Sequence, residues 1–394
     1  MGGFNWNKTK LDNCVSVNEL NMRTRVSSDD FREITQEEYE IIQAKLEETE
    51  NLKGGHKMGL DVKVKIDISK VPGKAGFGVP LIFAGKGTAV DYKECNSLAE
   101  ISTAGFASTT EVYKTAELLF MQDDAPKTVA VCSTTDNVKT WLSDPDNVAK
   151  GWRQLIVTSL GTEGESTIAE IISTVETLDG KMFFASLDVD DTTSITKSGI
   201  KRSVLFYCTD ANDTPYNNPV AALVGATAGK AAGSINYKNT ILKGITPQNL
   251  TDSEITAIHA KGGITFVTKA GDNVTSEGKT AGGEYIDIVD SEDYIILQLG
   301  YQTQKLLNSV PKVPYDNNGI ALLESIAVNV MKDAYNKGII ATNEDGTPAY
   351  FVNYAMRENT SETDRAERKY LGGQFSFKLA GAINEVEITG EIII

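Results

Sequence analysis

The chain has little of what most catalytic and redox sites need. Among 394 residues there are only two histidines, His56 and His259, so histidine-dependent catalysis has almost no material. The four cysteines are far apart and form no CxxC pair, and Cys132 and Cys208 lie in strand-like apolar runs. We therefore expect buried free thiols, with no disulfide framework, no zinc site and no cofactor.

Positive charge and long apolar runs are also scarce. Lysine and arginine number 38 against 54 acidic residues, which gives a formal net charge of −16. Because phosphate binding needs concentrated basic residues, we expect no direct contact with nucleic acid. No apolar run is long enough to cross a membrane, and residues 1–10 lack the apolar core of a signal peptide. We therefore expect no membrane insertion, no secretion, and maturation in the cytoplasm.

What the chain does contain is enough apolar sequence for two or three domains with a core, since 41% of its residues are hydrophobic. In residues 74–244 strand-like and helix-like segments alternate, which predicts a layered α/β middle domain. The predicted strands are 79–84, 128–132, 182–187 and 204–208, and the predicted helices are 108–121, 148–160, 166–178 and 219–232.

Residues 245–380 are predicted to form a second, C-terminal α/β domain, so the fold class is mixed α/β. Thr251 and Asp252 are good caps for a helix that ends near residue 261. The other predicted elements are a hairpin of strands 264–269 and 285–289, helices at 294–308 and 320–335, and strands at 350–354 and 375–379.

Two segments read as extended β-strand arms, at 58–73 and 381–394. The first alternates without a fault between apolar and polar residues from Leu60 to Ser69, and the second has the same period-2 pattern, which is typical of a strand with one buried face. The apolar positions are Leu60, Val62, Val64, Ile66 and Ile68 in the first arm and Val386, Ile388, Ile392 and Ile394 in the second. Each arm has to pair with a strand of the same chain or of another subunit. The glycines expected to let the arms bend are Gly73, Gly76, Gly381 and Gly390.

Residues 1–57 are predicted to be an N-terminal extension with one amphipathic helix, near residues 35–51. Tyr39, Ile42 and Leu46 have helical spacing there, and acidic residues crowd the start of the segment. A single helix with a thin apolar stripe cannot form its own core, so we expect it to need a docking surface.

Three groups of charged residues could carry chemistry or binding. Asp188, Asp190 and Asp191 follow a strand, where they are either turn residues or the carboxylates of an α/β enzyme that acts on a small ligand. Asp287, Asp290, Glu292 and Asp293 are either a cation site or a solvated turn before a helix. Arg365, Arg368 and Lys369 are either part of a solvated helical turn or a docking surface for an acidic partner.

Several motifs, all of them after residue 243, resemble the C-terminal half of contractile phage tail sheath proteins. They are Gly244-Ile245-Thr246-Pro247, Leu250-Thr251-Asp252, Ala260-Lys261-Gly262-Gly263, Gly282-Gly283-Glu284-Tyr285-Ile286-Asp287, Val313-Pro314-Tyr315-Asp316 with Gly319-Ile320, Asp364-Arg365-Ala366-Glu367-Arg368-Lys369, and Phe377-Lys378-Leu379-Ala380-Gly381-Ala382-Ile383.

This resemblance implies a structural subunit and not an enzyme. Similar sheath subunits stack as hexameric rings around an inner tube, their arms augment a sheet in neighbouring subunits, and contraction drives the tube through the host cell envelope. The implied partners are neighbouring sheath subunits, the inner tail tube protein, and baseplate and tail terminator proteins. The implied location is a virion tail, or a phage-tail-like particle, assembled in the host cytoplasm. Under this interpretation Arg365, Arg368 and Lys369 are candidates for contact with the tube or the sheath.

Overall fold

The computed structural model describes residues 77–158, 166–189, 197–209 and 218–384, together with the backbone of two short strands nearer the N-terminus. The chain divides into two compact units, Met1–Lys63 and Val64–Ile394. In the first unit, β1 (Asn5–Trp6) pairs antiparallel with β2 (Arg32–Glu33). The predicted arm strands, the predicted helix near residues 35–51, and Gly73, Gly76 and Gly390 lie outside the described residues.

An eight-stranded sheet forms the centre of the second unit. Its strands are β3 (Val79–Lys86), β4 (Val90–Cys95), β5 (Val129–Thr134), β6 (Trp152–Val157), β7 (Met182–Leu187), β8 (Ser203–Tyr207), β9 (Gly263–Lys269) and β10 (Asp272–Thr275). They lie in the order β10-β9-β8-β7-β6-β3-β5-β4, and the six inner strands run parallel while the two outer ones are antiparallel. The inner strands are almost completely buried because helices cover both faces.

Helices on the two faces make two separate hydrophobic cores. One face carries α1 (Leu98–Thr103), α2 (Glu111–Phe120) and α6 (Pro219–Thr227). The other carries α3 (Val138–Leu142), α5 (Ile168–Val175) and α7 (Asp252–Ala260), with the short α4 (Pro145–Val148) beside α3. Helix α6 approaches α2 closely because Gly225 has no side chain, since a Cβ there would lie 2.4 Å from the carbonyl oxygen of Leu119. The predicted mixed α/β fold is confirmed.

The prediction of a helix at 148–160 is wrong, because residues 152–157 form strand β6 in the middle of the sheet. A central strand is buried on both faces, so its sequence lacks the alternation that distinguishes strands from helices. The predicted pairing of 264–269 with 285–289 is also wrong. Strand β9 turns at Ala270 and Gly271 and pairs with β10, and Ala270 has a positive φ of 51°, which is rare for a residue with a side chain.

The C-terminal part of the unit is a helix pair against a two-stranded ribbon. It contains α8 (Ile286–Ser309), α9 (Asn317–Asn336), β11 (Tyr350–Tyr354), a 3₁₀ turn (Arg357–Asn359), α10 (Glu362–Ala366) and β12 (Gly373–Phe377). Helix α9 begins where the side chain of Asp316 accepts a hydrogen bond from the backbone N–H of Gly319. Because β9 and β10 belong to the large sheet, that sheet extends past residue 244, the predicted end of the middle domain. In the described ranges, no helix is both long and apolar enough to cross a membrane.

Candidate assembly surface

The ribbon of β11 and β12 has two outward-facing edges. Backbone hydrogen bonds from Lys378 to Ala349 (2.9 Å) and from Ala355 to Gly372 (3.0 Å) flank the two strands. Bonded and non-bonded pairs alternate in an antiparallel ladder, so Val352 on β11 directs its backbone N–H and C=O away from β12. Within residues 77–384, apart from the gaps given above, no further strand pairs with either edge.

The inner face of this ribbon is only partly covered. Tyr350, Val352, Tyr354, Phe375 and Phe377 pack against the core between α8 and α9, yet all five remain half-exposed. The opposite face carries Phe351, which is 58% exposed. Two-stranded ribbons are marginally stable alone, so further strands beside this one would both complete the ladder and cover apolar surface.

The edges of the large sheet, in contrast, are protected. Edge strand β4 exposes Asp91 and Lys93, and its pairing with β5 contains a register irregularity between Val90 and Lys93. At the other edge, residues 239–241 pair with β10, where the backbone N–H of Thr275 donates to the carbonyl of Thr240 (3.0 Å). Charges, bulges and covering segments are the usual means of preventing strand addition.

Exposed large apolar side chains concentrate in the C-terminal part. Of the nine found in the described part of the chain, seven lie after residue 300: Leu307, Leu322, Val328, Phe351, Met356, Leu371 and Ile383. Met356 lies two residues after β11 and Leu371 two residues before β12, and they are 56% and 69% exposed. Clustered exposed apolar side chains are typical of protein interaction surfaces.

The predicted basic cluster is only partly available to a partner. Arg365 donates hydrogen bonds to the carbonyls of Thr360 and Arg357, so its guanidinium holds the turn before α10. The ammonium of Lys369 lies 2.6 Å from the carboxylate of Glu367. Arg368 is exposed and has a positive φ of 57°. A contact of these residues with tube or sheath stays a prediction, with Arg368 the best placed of the three.

The acidic residues at the start of α8 form neither a cation site nor a solvated turn. Asp290 and Asp293 are buried, 5% and 6% exposed, and pair with arginines of the large sheet. Arg153 of β6, 1% exposed, donates to Asp290 Oδ1 (2.5 Å) and to Asp293 Oδ2 (2.7 Å). Arg202, just before β8, binds both carboxylate oxygens of Asp293 at 2.8 and 2.9 Å. We call these four residues, with Tyr237, the Arg153 centre.

Charge in the Arg153 centre balances, which makes its burial possible. Burial alone would lower the pKa of the Arg153 guanidinium, but Asp290 and then Asp293 hold that pKa above its ordinary value. Burial likewise would raise the pKa of Asp293, and Arg153 and Arg202 instead lower it. Tyr237 donates its hydroxyl to Asp290 Oδ2 (2.5 Å), and burial and that carboxylate raise the tyrosine pKa. Every member is therefore charged or hydrogen-bonded in a way that favours the folded arrangement.

Sequence reasoning missed the Arg153 centre, although a signal exists. Arg153 is a lone cation inside the apolar run W-R-Q-L-I-V, and Asp290 and Asp293 are three residues apart on one face of a helix. A charge inside a buried strand requires an opposite charge. Which of the 54 acidic residues supplies it cannot be read from the sequence, because the partners are 137 and 140 positions away.

The N-terminal arm, as predicted, would join the described structure at Phe77. Its ring covers the Arg153 guanidinium, with 4.2 Å between the ring centroid and Cζ, and makes an edge contact with Tyr294 (5.8 Å). Gly78, with φ of 103°, lies directly against Arg153, since a Cβ at Gly78 would be 2.7 Å from Arg153 Cβ. We call residues 77–78 the N-terminal root.

The C-terminal arm would leave the described structure at residues 381–384, the C-terminal root. Asn236 donates its side-chain amide to Asn384 Oδ1 (2.6 Å), and Gly381 has a φ of 23°. Residues 379–382 line a cleft together with residues 233–236 and with Asp287 and Ser291 of α8. The role of Gly381 as a hinge stays a prediction.

The carboxylates of the alternative enzyme interpretation are not brought together by the described structure. Asp188 follows the end of β7, whereas Asp190 and Asp191 lie outside the described residues. His259 is partly buried and contacts the hydroxyl of the buried Ser276 (2.9 Å), just after β10. Across the residues that can be described, no group of three or more histidine, cysteine, aspartate or glutamate side chains is arranged to hold a metal ion.

Comparison with known proteins agrees with the resemblance read from the sequence. Residues 286–392 match the family model described as E217 tail sheath protein gp31-like, C-terminal domain. Comparison with curated proteins finds no match.

Solved structures of contractile particles share the fold. A chain of the anti-feeding prophage baseplate superposes with a TM-score of 0.62 at 12% identity, over 86% of this chain and 99% of that chain. The helical sheath of the same prophage in the contracted state gives 0.61 at 14% identity, with the same coverage. The contracted PVC sheath complex of an extracellular contractile injection system gives 0.59 at 11% identity, over 86% and 98%. Residues 286–392 therefore match the tail sheath C-terminal domain model, and the described chain shares its fold with the solved chains of these contractile particles.

Proposed function

We propose that this chain is the structural subunit of a contractile tail sheath. It polymerises as stacked hexameric rings around an inner tube, and contraction of the rings drives the tube through a host cell envelope. Its partners are other copies of the chain, the tube protein, and the baseplate and terminator proteins at the ends of the tail. The particle is a phage tail or a phage-tail-like particle that assembles in the host cytoplasm. The role is structural and needs no catalytic step.

One observation carries this proposal: the ribbon β11–β12 has two outward-facing edges and a partly covered apolar face, within the region that matches the sheath domain. The predicted arms at 58–73 and 381–394 have the alternating apolar face that such a ribbon would accept. Strand addition to an exposed sheet edge supplies backbone hydrogen bonds and buries alternate side chains. With about five hydrogen bonds at roughly 1 kcal/mol each, plus apolar burial, each added strand contributes several kcal/mol.

The test is removal of the C-terminal arm. A chain ending at Asn384 should fold, because the described core contains none of the removed residues, but should form no tubes when examined by negative-stain electron microscopy. Two full-length variants distinguish the apolar face of the arm from its polar face. Ile388→Ser changes the apolar face and should prevent assembly, whereas Glu387→Gln changes the polar face and should not. Normal tubes from the shortened chain would exclude arm donation as the basis of assembly.

A further inference from the structure

We infer that the roots of the two arms are coupled to each other through the Arg153 centre, so that a change at one root alters the other. This inference concerns residues 77–384, and its use in a polymer rests on the proposed function. The path runs through four non-covalent contacts given by the structure and through the peptide bond between Asn236 and Tyr237, and it links residues that are more than 300 positions apart in the chain.

The first half of the path leads from the N-terminal root to α8. The ring of Phe77 lies over the guanidinium of Arg153, and Gly78 packs against the same side chain. Arg153 in turn donates to Asp290. Arg153 is buried, and its guanidinium is held by the ring above it, by the two carboxylates beside it and by a hydrogen bond to the carbonyl of Gly180 (3.0 Å). Displacement of Phe77 would admit water to this guanidinium and weaken its hold on Asp290.

The second half leads from α8 to the C-terminal root. The other oxygen of Asp290 accepts the hydroxyl of Tyr237, which is buried. The next residue back along the chain, Asn236, uses its amide nitrogen to bind Asn384 and its amide oxygen to accept the backbone N–H of Lys238. Both the nitrogen and the oxygen of the Asn236 side-chain amide are therefore hydrogen-bonded. Because Asn236 is bonded directly to Tyr237, a shift of the Tyr237 backbone would reorient this side chain.

Both halves of the path include Asp290. Its Oδ1 accepts a hydrogen bond from Arg153, and its Oδ2 accepts one from Tyr237. A carboxylate shared between a buried cation and a buried hydroxyl cannot adjust to one partner without changing its geometry toward the other. Residues in one hydrogen-bonded network show coupling, whereas separate sites behave additively. The geometry thus provides a physical connection between the points where the two arms begin.

Hydrogen exchange of the full-length, unassembled subunit tests the coupling. Phe77→Ala should raise exchange at residues 77–80 and also, about 2- to 30-fold, at residues 378–384. In a Tyr237→Phe background, the same change at Phe77 should raise exchange at 77–80 but add nothing at 378–384, because the link from Asp290 is absent. Met121→Ala, which removes a 48% exposed apolar side chain at the end of α2, should change neither segment.

Peptides from β5 serve as an internal reference for global unfolding, since this inner strand of the sheet is almost completely buried. If the Phe77→Ala chain unfolds, Phe77→Leu replaces it and keeps apolar bulk without the aromatic face. A rise confined to residues 77–80, or an equal rise at 378–384 in both backgrounds, would overturn the inference. Because no assembly is involved, this result is independent of whether the chain ending at Asn384 forms tubes.

Discussion

At the scale of single residues, the chain is unusual in burying arginine charge where its large sheet meets α8. Arg153 is 1% exposed, and its neutralisation depends on two carboxylates from one helix. Pairs of this kind add little to stability compared with apolar residues of the same shape, but removal of one member leaves an uncompensated charge. The Arg153 centre therefore selects one placement of α8 on the sheet.

Asp293→Asn should lower the free energy of unfolding by about 3 kcal/mol or more, because Arg153 and Arg202 both lose an ionic partner. Urea unfolding followed by circular dichroism measures this. Glu292→Gln is the matched control on the same helix, since Glu292 is only half-buried, and its effect should stay within about 1 kcal/mol. Equal effects of the two variants would show that the Arg153 centre has no special role in stability.

Lys181 gives the protein a stability that rises with pH between neutral and alkaline conditions, in the same sense as acid denaturation but in a higher pH range. Burial, and then the Arg153 guanidinium, lower the pKa of Lys181 to about 7. In the unfolded chain this pKa is about 10.4, so between these values the unfolded state binds one more proton and stability rises with pH. Relative to Lys181→Met, the wild type should gain on the order of a few kcal/mol from pH 7 to 10. Parallel curves for the two proteins in urea titrations would contradict this.

At the scale of elements, the decisive feature is the contrast between protected and unprotected sheet edges. Strands β4 and β10 are closed to strand addition by charge, irregular pairing and a covering segment, whereas β11 and β12 have none of these among the described residues. Among the described residues, the small ribbon and not the much larger sheet therefore has edges suited to the proposed strand addition.

Val352→Pro should prevent assembly and leave the ribbon intact. The N–H of Val352 points away from β12, so proline removes only an outward donor. Val352→Ala keeps this donor and loses similar side-chain bulk, and it should still form tubes. Negative-stain microscopy compares the two variants, and thermal unfolding verifies that each is folded. Tubes from the proline variant would mean that the outer edge of β11 receives no strand.

Elements with helical periodicity or a short uninterrupted apolar run could be predicted from the sequence. Helix α7, capped by Thr251 and Glu254, and strands β5, β7 and β8 lie close to their predicted positions. Strand β6 is predicted as a helix because Arg153 and Gln154 interrupt its apolar run and leave the apolar residues at helical spacing. The β9–β10 turn could not be predicted because Ala270 adopts a conformation that its residue type disfavours. In the candidate assembly surface, the two ribbon strands could be predicted from the sequence. The Arg153 centre could not, because it depends on contacts between residues that are distant in the chain.

At the scale of the whole molecule, each subunit in the proposed sheath both donates strands and receives them. Receiving requires the described ribbon, and donating requires the predicted arms. The two activities are carried by different residues, so a variant can lose one and keep the other. Such a head-to-tail arrangement continues indefinitely unless one of the two activities is missing.

A chain ending at Asn384, mixed in equal amounts with the wild-type chain, should therefore shorten the tubes. The shortened chain still has the ribbon that accepts the arm of a wild-type subunit. It has no C-terminal strand to donate to the next subunit, so growth of the tube stops where the shortened chain is incorporated. Tube lengths in negative-stain images should fall as the share of the shortened chain increases. The Val352→Pro chain mixed in the same way should act more weakly if it is excluded from the polymer, and an unchanged length distribution with the shortened chain would contradict arm donation.

The 137 residues that separate Arg153 from Asp290 also have a consequence for synthesis. At roughly 5–20 residues per second, a ribosome needs on the order of 10 s to make Asp290 after Arg153. During that interval the nascent sheet contains strand β6 with a cation that has no counter-charge from α8, so β6 cannot be buried at low cost. We expect β6 to be buried in the sheet only after α8 has left the ribosome. Folding of the part of the chain made first would then depend on synthesis of residues 286–309.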